Sequence, residues 1–124
     1  MRSNTQQFRG EKYLSLETFR KTGVGVRTPV WFAQSPEGRF FIYAEANSGK
    51  IKRLRNNPQV RMAPCSIRGT VHGTWEAGLA EIVSGEEASL GQRLLTRKYW
   101  YKFLGDVVSR LLRRERAVIA VTLQ

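Results

Sequence analysis

Val26-Arg27-Thr28-Pro29-Val30-Trp31-Phe32-Ala33-Gln34-Ser35-Pro36-Glu37-Gly38-Arg39-Phe40-Phe41-Ile42-Tyr43 reads as two extended runs folded about a turn. Residues 26–33 are rich in Val, Thr and aromatic side chains, which pack well on a pleated surface. Ser35-Pro36-Glu37-Gly38 supplies turn chemistry, because proline presets φ and glycine accepts positive φ. Phe40-Phe41-Ile42-Tyr43 then returns, and the stretch predicts a hairpin.

Working outward, residues 13–18, Tyr-Leu-Ser-Leu-Glu-Thr, alternate apolar and polar side chains and predict a half-buried strand with Tyr13 on its apolar face. Downstream, Ser48-Gly49 opens a short helix in which Ile51 and Leu54 are spaced i, i+3. Asn56-Asn57-Pro58 closes it, since the residue before proline avoids the helical region. Residues 59–67 and 71–83 read as two longer strands around an Arg68-Gly69 turn. Residues 86–100 and 102–114 carry Leu90, Leu94, Leu104, Val107, Val108, Leu111 and Leu112 at helical spacing and predict two helices. Residues 117–123 form a last strand of Val and Ile. The expected fold is α+β, a mainly antiparallel sheet or barrel with a short helix and two C-terminal helices before the last strand. A doubly wound nucleotide fold is disfavoured: Gly23-Val24-Gly25 lacks the third glycine of the fingerprint, and helices do not alternate with strands.

The 124 residues, 41% hydrophobic, suit one domain spanning 1–124. A chain this short covers an apolar sheet face economically by pairing with a second copy, so a homodimer is expected. The net charge of +11 attracts anions of several kinds. The cations Arg93, Arg97, Lys98, Lys102, Arg110, Arg113, Arg114 and Arg116 raise the question of nucleic acid, but no docking motif or aromatic platform accompanies them, and no sequence-specific nucleic-acid partner is expected. No apolar run approaches the roughly 18 residues of a membrane span, so a soluble cytoplasmic protein without a membrane partner is expected. Cys65 stands alone with no metal-ligand partner near it in sequence and reads as a small buried side chain. His72 reads as an exposed residue near a turn. No metal site is predicted.

The most informative stretch for chemistry is Ser48-Gly49-Lys50-Ile51-Lys52-Arg53-Leu54-Arg55. A helix N-terminus already carries partial positive charge, so Lys50, Lys52 and Arg53 oppose it by a few tenths of a kcal/mol each unless an anion sits there. Between Ser48 and Trp75 the sequence has no Asp or Glu, so neighbours in sequence cannot neutralise the cluster. Free backbone donors, a capping serine and cationic side chains fit a phosphate; the alternative is a solvated basic helix face. Pro29 removes one ladder donor and points to an edge strand or bulge whose free backbone could address a ligand. Alternatively it only marks an edge, with Arg27 solvated.

Five blocks together, Tyr13 to Arg20, Arg27 to Phe32, Ser48 to Leu54, Asn57 to Cys65 and Arg97-Lys98-Tyr99, resemble the signature blocks of the pyridoxamine-5'-phosphate-oxidase-like proteins, in particular the branch of deazaflavin-dependent oxidoreductases. The resemblance runs in order from about Phe8 onward. It implies a split β-barrel homodimer that binds FMN or a deazaflavin (coenzyme F-420) at the subunit interface and transfers hydride to or from a small organic substrate. By the family pattern Lys50, Lys52 and Arg53 hold the cofactor phosphate with Arg27 facing it, and Ser48 and Gly49 shape the phosphate turn. Thr28, Pro29 and Val30 line the ring, and Trp75 contributes to the wall between subunits. Trp31 and Trp100 are expected to pack in the core or interface. The chain departs from true pyridoxamine phosphate oxidases in ending Val121-Thr122-Leu123-Gln124, without the C-terminal Arg and His that grip their substrate. In such a site the cofactor performs the chemistry, and the residues suggest no catalytic side chain or nucleophilic triad. A non-catalytic carrier of flavin, deazaflavin or haem is the alternative on the same fold.

Overall fold

A computed structural model describes residues 5–100 and 116–124. The fold is α+β, a curled antiparallel half-barrel with a short helix and a longer one. The predicted helix over 102–114 lies outside the described residues. The strands are β1 (Tyr13–Phe19), β2 (Gly25–Val30), β3 (Phe32–Gln34), β4 (Phe40–Glu45), β5 (Gln59–Cys65), β6 (Glu76–Val83) and β7 (Arg116–Leu123). The helices are α1 (Gly49–Asn56) and α2 (Gly85–Lys98), preceded by a 3-10 turn at Gln6–Phe8.

The seven strands run in the order β2-β1-β5-β6-β7-β4-β3. The two edge strands, β2 and β3, are consecutive in the chain and separated only by Trp31. A sheet whose opposite edges are joined by one residue has to curl until they meet, and Trp31 marks that seam. The single extended run read over 26–33 is therefore two strands at opposite ends of the sheet order.

The β3–β4 hairpin forms as its turn chemistry predicts. Ser35 N–H donates to Arg39 O at 2.8 Å, the N–H of Gly38 donates to Ser35 O at 2.8 Å, and Gly38 takes φ of +86°. Inside the curl, Leu14, Leu16, Val30, Phe32, Phe40, Ile42, Val60, Met62, Ile119 and Val121 make the main core. Ile51 and Leu54 of α1 and Phe8 of the 3-10 turn plug it. A second cluster outside the sheet joins Phe41, Val118 and Ala120 to Leu95 and Tyr99, which the α2 segment supplies.

Two strand expectations are corrected. β1 is buried on both faces, Leu14 and Leu16 in the core and Ser15 and Glu17 on the other side, where Arg27 and Arg61 close over the Glu17 carboxylate. Tyr13 shares the face of Ser15 and Glu17. The strand read from Val71 begins at Glu76 instead. Met62 pairs with Glu76 and Cys65 bridges Val71, so Ala63 and Pro64 lie opposite residues 72–75. That surplus is a bulge. It carries His72 to Glu11, with Nε2 2.7 Å from Oε1, and Thr74 to Gln7, whose Oε1 accepts its N–H at 2.9 Å.

Candidate functional site

The seam is lined by both apolar and polar side chains. A cavity of about 460 Å³ opens between Pro29, Val30 and Trp31 at the strand junction, Tyr43, Ala44 and Glu45 at the end of β4, Ser48 and Lys50 at the start of α1, and Arg116 at the start of β7. α1 is held there by local geometry. Glu45 O accepts the N–H of Ser48 at 2.9 Å, and Asn57 closes the helix in extended conformation ahead of Pro58.

Ser48 occupies the helix N-cap, but its Oγ makes no capping bond; it is buried and has no hydrogen-bond partner. Arg116 Nη1 is in the same condition. Both residues line this cavity. A buried polar atom left unpaired costs about 1–3 kcal/mol, and each of these two residues is thereby suited to an anionic oxygen. Lys50 Nζ donates to Thr28 Oγ1 at 3.3 Å. Burial lowers its pKa, repulsion from Arg53 adds to this, and Glu45 acts the other way.

The residues singled out by sequence are only partly brought together. Pro29, Val30, Ser48 and Lys50 line the cavity, with Thr28 bonded to Lys50. Gly49 lies in the same helical turn, and Lys52 points to solvent. Arg53 donates from Nε to Thr18 Oγ1 at 2.7 Å, and its guanidinium folds back over Gly49. Arg27 projects from the opposite face of β2 to Thr28. It pairs with Glu17 at 2.8 Å, Arg61 holds the other oxygen of that carboxylate at 3.2 Å, and both guanidiniums stack on Trp75, at 4.4 and 5.1 Å from its ring. Arg27 and Trp75 thus belong to a separate cluster within the chain.

Sequence reading missed Tyr43, Glu45 and Arg116, and placed Trp31 only in packing. Trp31 does pack, stacked on Tyr99, and it also lines the cavity. Arg116 had no local signal: it joins the site because β7 pairs with β4 in a register that sets Arg116 opposite Glu45. Cys65 is buried as expected, and burial pushes its thiol pKa up.

This curled half-barrel is a fold that the chain shares with solved structures of low sequence identity. Among solved structures it is similar to a conserved hypothetical protein of Mycobacterium tuberculosis, with 21% identity, TM-score 0.73, and coverage of 97% of this chain and 78% of that one. A heme binding protein of Mycobacterium smegmatis aligns at 13% identity and TM-score 0.70 over 100% of this chain and 53% of its own, so the chain spans about half that protein's length. The heme storage protein HutZ of Vibrio cholerae aligns at 16% identity and TM-score 0.69, covering 100% of this chain and 92% of HutZ. No protein-family model and no curated protein matches the chain. Among the described residues, no helix is long and apolar enough to cross a membrane, and no cluster of three His, Cys, Asp or Glu side chains could hold a metal.

Proposed function

We propose that the protein is an oxidoreductase that binds FMN or a deazaflavin in the seam cavity, as a homodimer, and acts on a small organic substrate. The observation that carries this reading is the buried, unpartnered Ser48 Oγ beside Lys50 at the start of α1. Those donors fit a phosphate, and Pro29, Val30 and Trp31 offer an apolar wall beside it for a ring. When bound, the cofactor supplies hydride transfer to or from the substrate.

The chain's own part is binding and orientation. Ser48 and Lys50 would hold the phosphate end, Thr28 keeps the ammonium aimed along the strand edge, and Trp31 limits access of water to the ring. Exposed Val24, Ile67 and Leu79 offer apolar surface to a second copy. Among the carrier readings haem is the weakest, because the described residues of the cavity lining include no His, Cys or Met and offer only Tyr43 among the common haem ligands.

The test is calorimetric affinity for FMN and for riboflavin, with the absorbance spectrum of the purified protein and a deazaflavin titration deciding between the two ring systems. Lys50→Ala removes one charge-assisted hydrogen bond, about 1.5–3 kcal/mol, and should weaken FMN roughly 10- to 100-fold while leaving riboflavin unchanged. Adding Arg53→Ala should weaken FMN further only if that side chain leaves Thr18 for the phosphate. Arg27→Ala should leave both affinities unchanged, since Glu17 engages that guanidinium. Equal loss of FMN and riboflavin in Lys50→Ala, or no loss, rejects the phosphate assignment.

A further inference from the structure

We propose that Arg116 is a second anion-recognising residue of the seam cavity. It would take a planar, delocalised anion, either a carboxylate or the anionic N–C=O edge of a reduced ring, separate from the phosphate at Ser48 and Lys50. The inference rests on the cofactor reading for the identity of that neighbouring phosphate and goes beyond it in the group bound.

Two cations line the cavity from different elements, Lys50 from α1 and Arg116 from β7. Lys50 is tied to Thr28 at 3.3 Å, where β2 passes the start of α1. Arg116 lies over the ring of Tyr43, 4.6 Å from its centroid, where β7 pairs with β4. Glu45 belongs to both neighbourhoods. It sits opposite Arg116 in the strand register, its carbonyl accepts the Ser48 N–H, and its charge acts on Lys50. Each cation is held by its own partner, Lys50 by Thr28 and Arg116 by Tyr43, and each can take an anion of its own.

The surroundings of Arg116 narrow the chemistry. A guanidinium presents its donors in a rigid planar fork, and an aromatic face beneath it fixes the tilt of that plane. With Nη1 buried and unpartnered, the fork is prepared for an anion whose acceptors lie in its plane.

Benzoate and inorganic phosphate, titrated into the isolated protein and followed through amide and arginine Nε–H NMR shifts, test this without flavin. Benzoate should move the signals of Arg116 and Tyr43, phosphate those of Ser48 to Lys50, and saturating phosphate should leave benzoate affinity unchanged. Arg116→Gln should abolish benzoate binding and leave phosphate binding unaltered. Arg116→Lys keeps the charge without the fork and should retain weak binding; native-like spectra of both variants exclude misfolding as the cause. Benzoate binding that survives Arg116→Gln, or competition between benzoate and phosphate, overturns the proposal.

The source of the anion is read on the FMN-loaded protein. If the ring supplies it, Arg116→Gln lowers the flavin midpoint potential, because the reduced anion loses a cation. If the substrate supplies it, the potential holds and the benzoate-induced change in the flavin spectrum disappears. A wild-type protein that binds no flavin counts against the cofactor reading, while the benzoate titration still decides the role of Arg116.

Discussion

Trp31 and Tyr99 are stacked, with ring centroids 4.9 Å apart and planes 13° from parallel, and the tyrosine hydroxyl reaches the next peptide of the seam. It accepts the N–H of Phe32 at 3.2 Å and lies 2.6 Å from the carbonyl of Lys12 and 3.0 Å from that of Phe32. Its single proton serves one of those two carbonyls at a time. The residue that ends α2 therefore fixes the point at which the sheet's two edges meet, and with it one wall of the cavity.

Removing that hydroxyl tests the fixation. Tyr99→Phe keeps the stacked ring but leaves the buried Phe32 N–H without its acceptor, which should cost about 1–3 kcal/mol in urea unfolding. Hydrogen exchange should accelerate at Phe32 more than at Ile42, its neighbour across the hairpin. A uniform change over both strands would mean that Tyr99 contributes to global packing alone.

Gly91 in α2 makes a sharper test of how closely that helix sits on the sheet. A Cβ there would lie 2.8 Å from Phe41 Cδ1 and 2.9 Å from Val118 Cγ1. Alanine is favoured over glycine inside a helix by about 1 kcal/mol, whereas overpacking a well-filled core costs about 1–3 kcal/mol. Packing should win, and Gly91→Ala should lower the melting temperature. A rise would show that the helix can lift off the sheet at little cost.

Lys98 gives the protein a pH signature. Its Nζ lies 3.5 Å from the centre of the Phe32 ring, and burial pushes its pKa down to about 8, with the charge of Glu11 acting in the opposite direction. An unfolded lysine titrates near ~10.4. Between those values the unfolded chain retains a proton that native Lys98 has released, so stability from this group rises with pH across that interval. Below it the penalty for burying the charge is present in full. Tyr43 and Cys65, both raised by burial, act in the reverse sense at alkaline pH, so the measurement is a difference. Lys98→Met should be more stable than wild type at neutral pH, with the gap closing as pH rises through the lysine's titration. A gap that stays constant with pH would assign the effect to packing.

What could be read in the sequence followed the range of the forces involved. The β3–β4 turn and the close of α1 were legible because Pro36, Gly38 and Pro58 act within a few residues of themselves, and α1 does start after Ser48 although the serine Oγ caps no donor. The basic start of α1 was legible for the same reason. The break at Trp31 was not, since residues on both sides are extended and only the sheet order reveals that they belong to opposite edges. Arg27 was read with Lys50 through resemblance, yet strand alternation turns it to the other face, where Glu17 and Trp75 wait from distant parts of the chain. Arg116 and Glu45 are far apart in sequence, and no local pattern announces their pairing. The bulge at residues 72–75 was signalled only by Gly73, an isolated glycine among Val71, Thr74 and Trp75, which suit a strand.

The one-residue seam also governs which changes in chain length the protein can absorb. Side chains alternate along a strand, so adding one residue beside Trp31 would reverse the facing of either β2 or β3 while its hairpin partner held still. Val30 or Phe32 would then leave the core. The turn around Arg68 and Gly69, by contrast, is largely exposed, and an extra residue there changes only how far the loop protrudes. Natural insertions and engineered tags should therefore be tolerated around residues 66–70 and rejected at the junction, which makes Trp31 the fixed origin from which the spacing of both hairpins is measured.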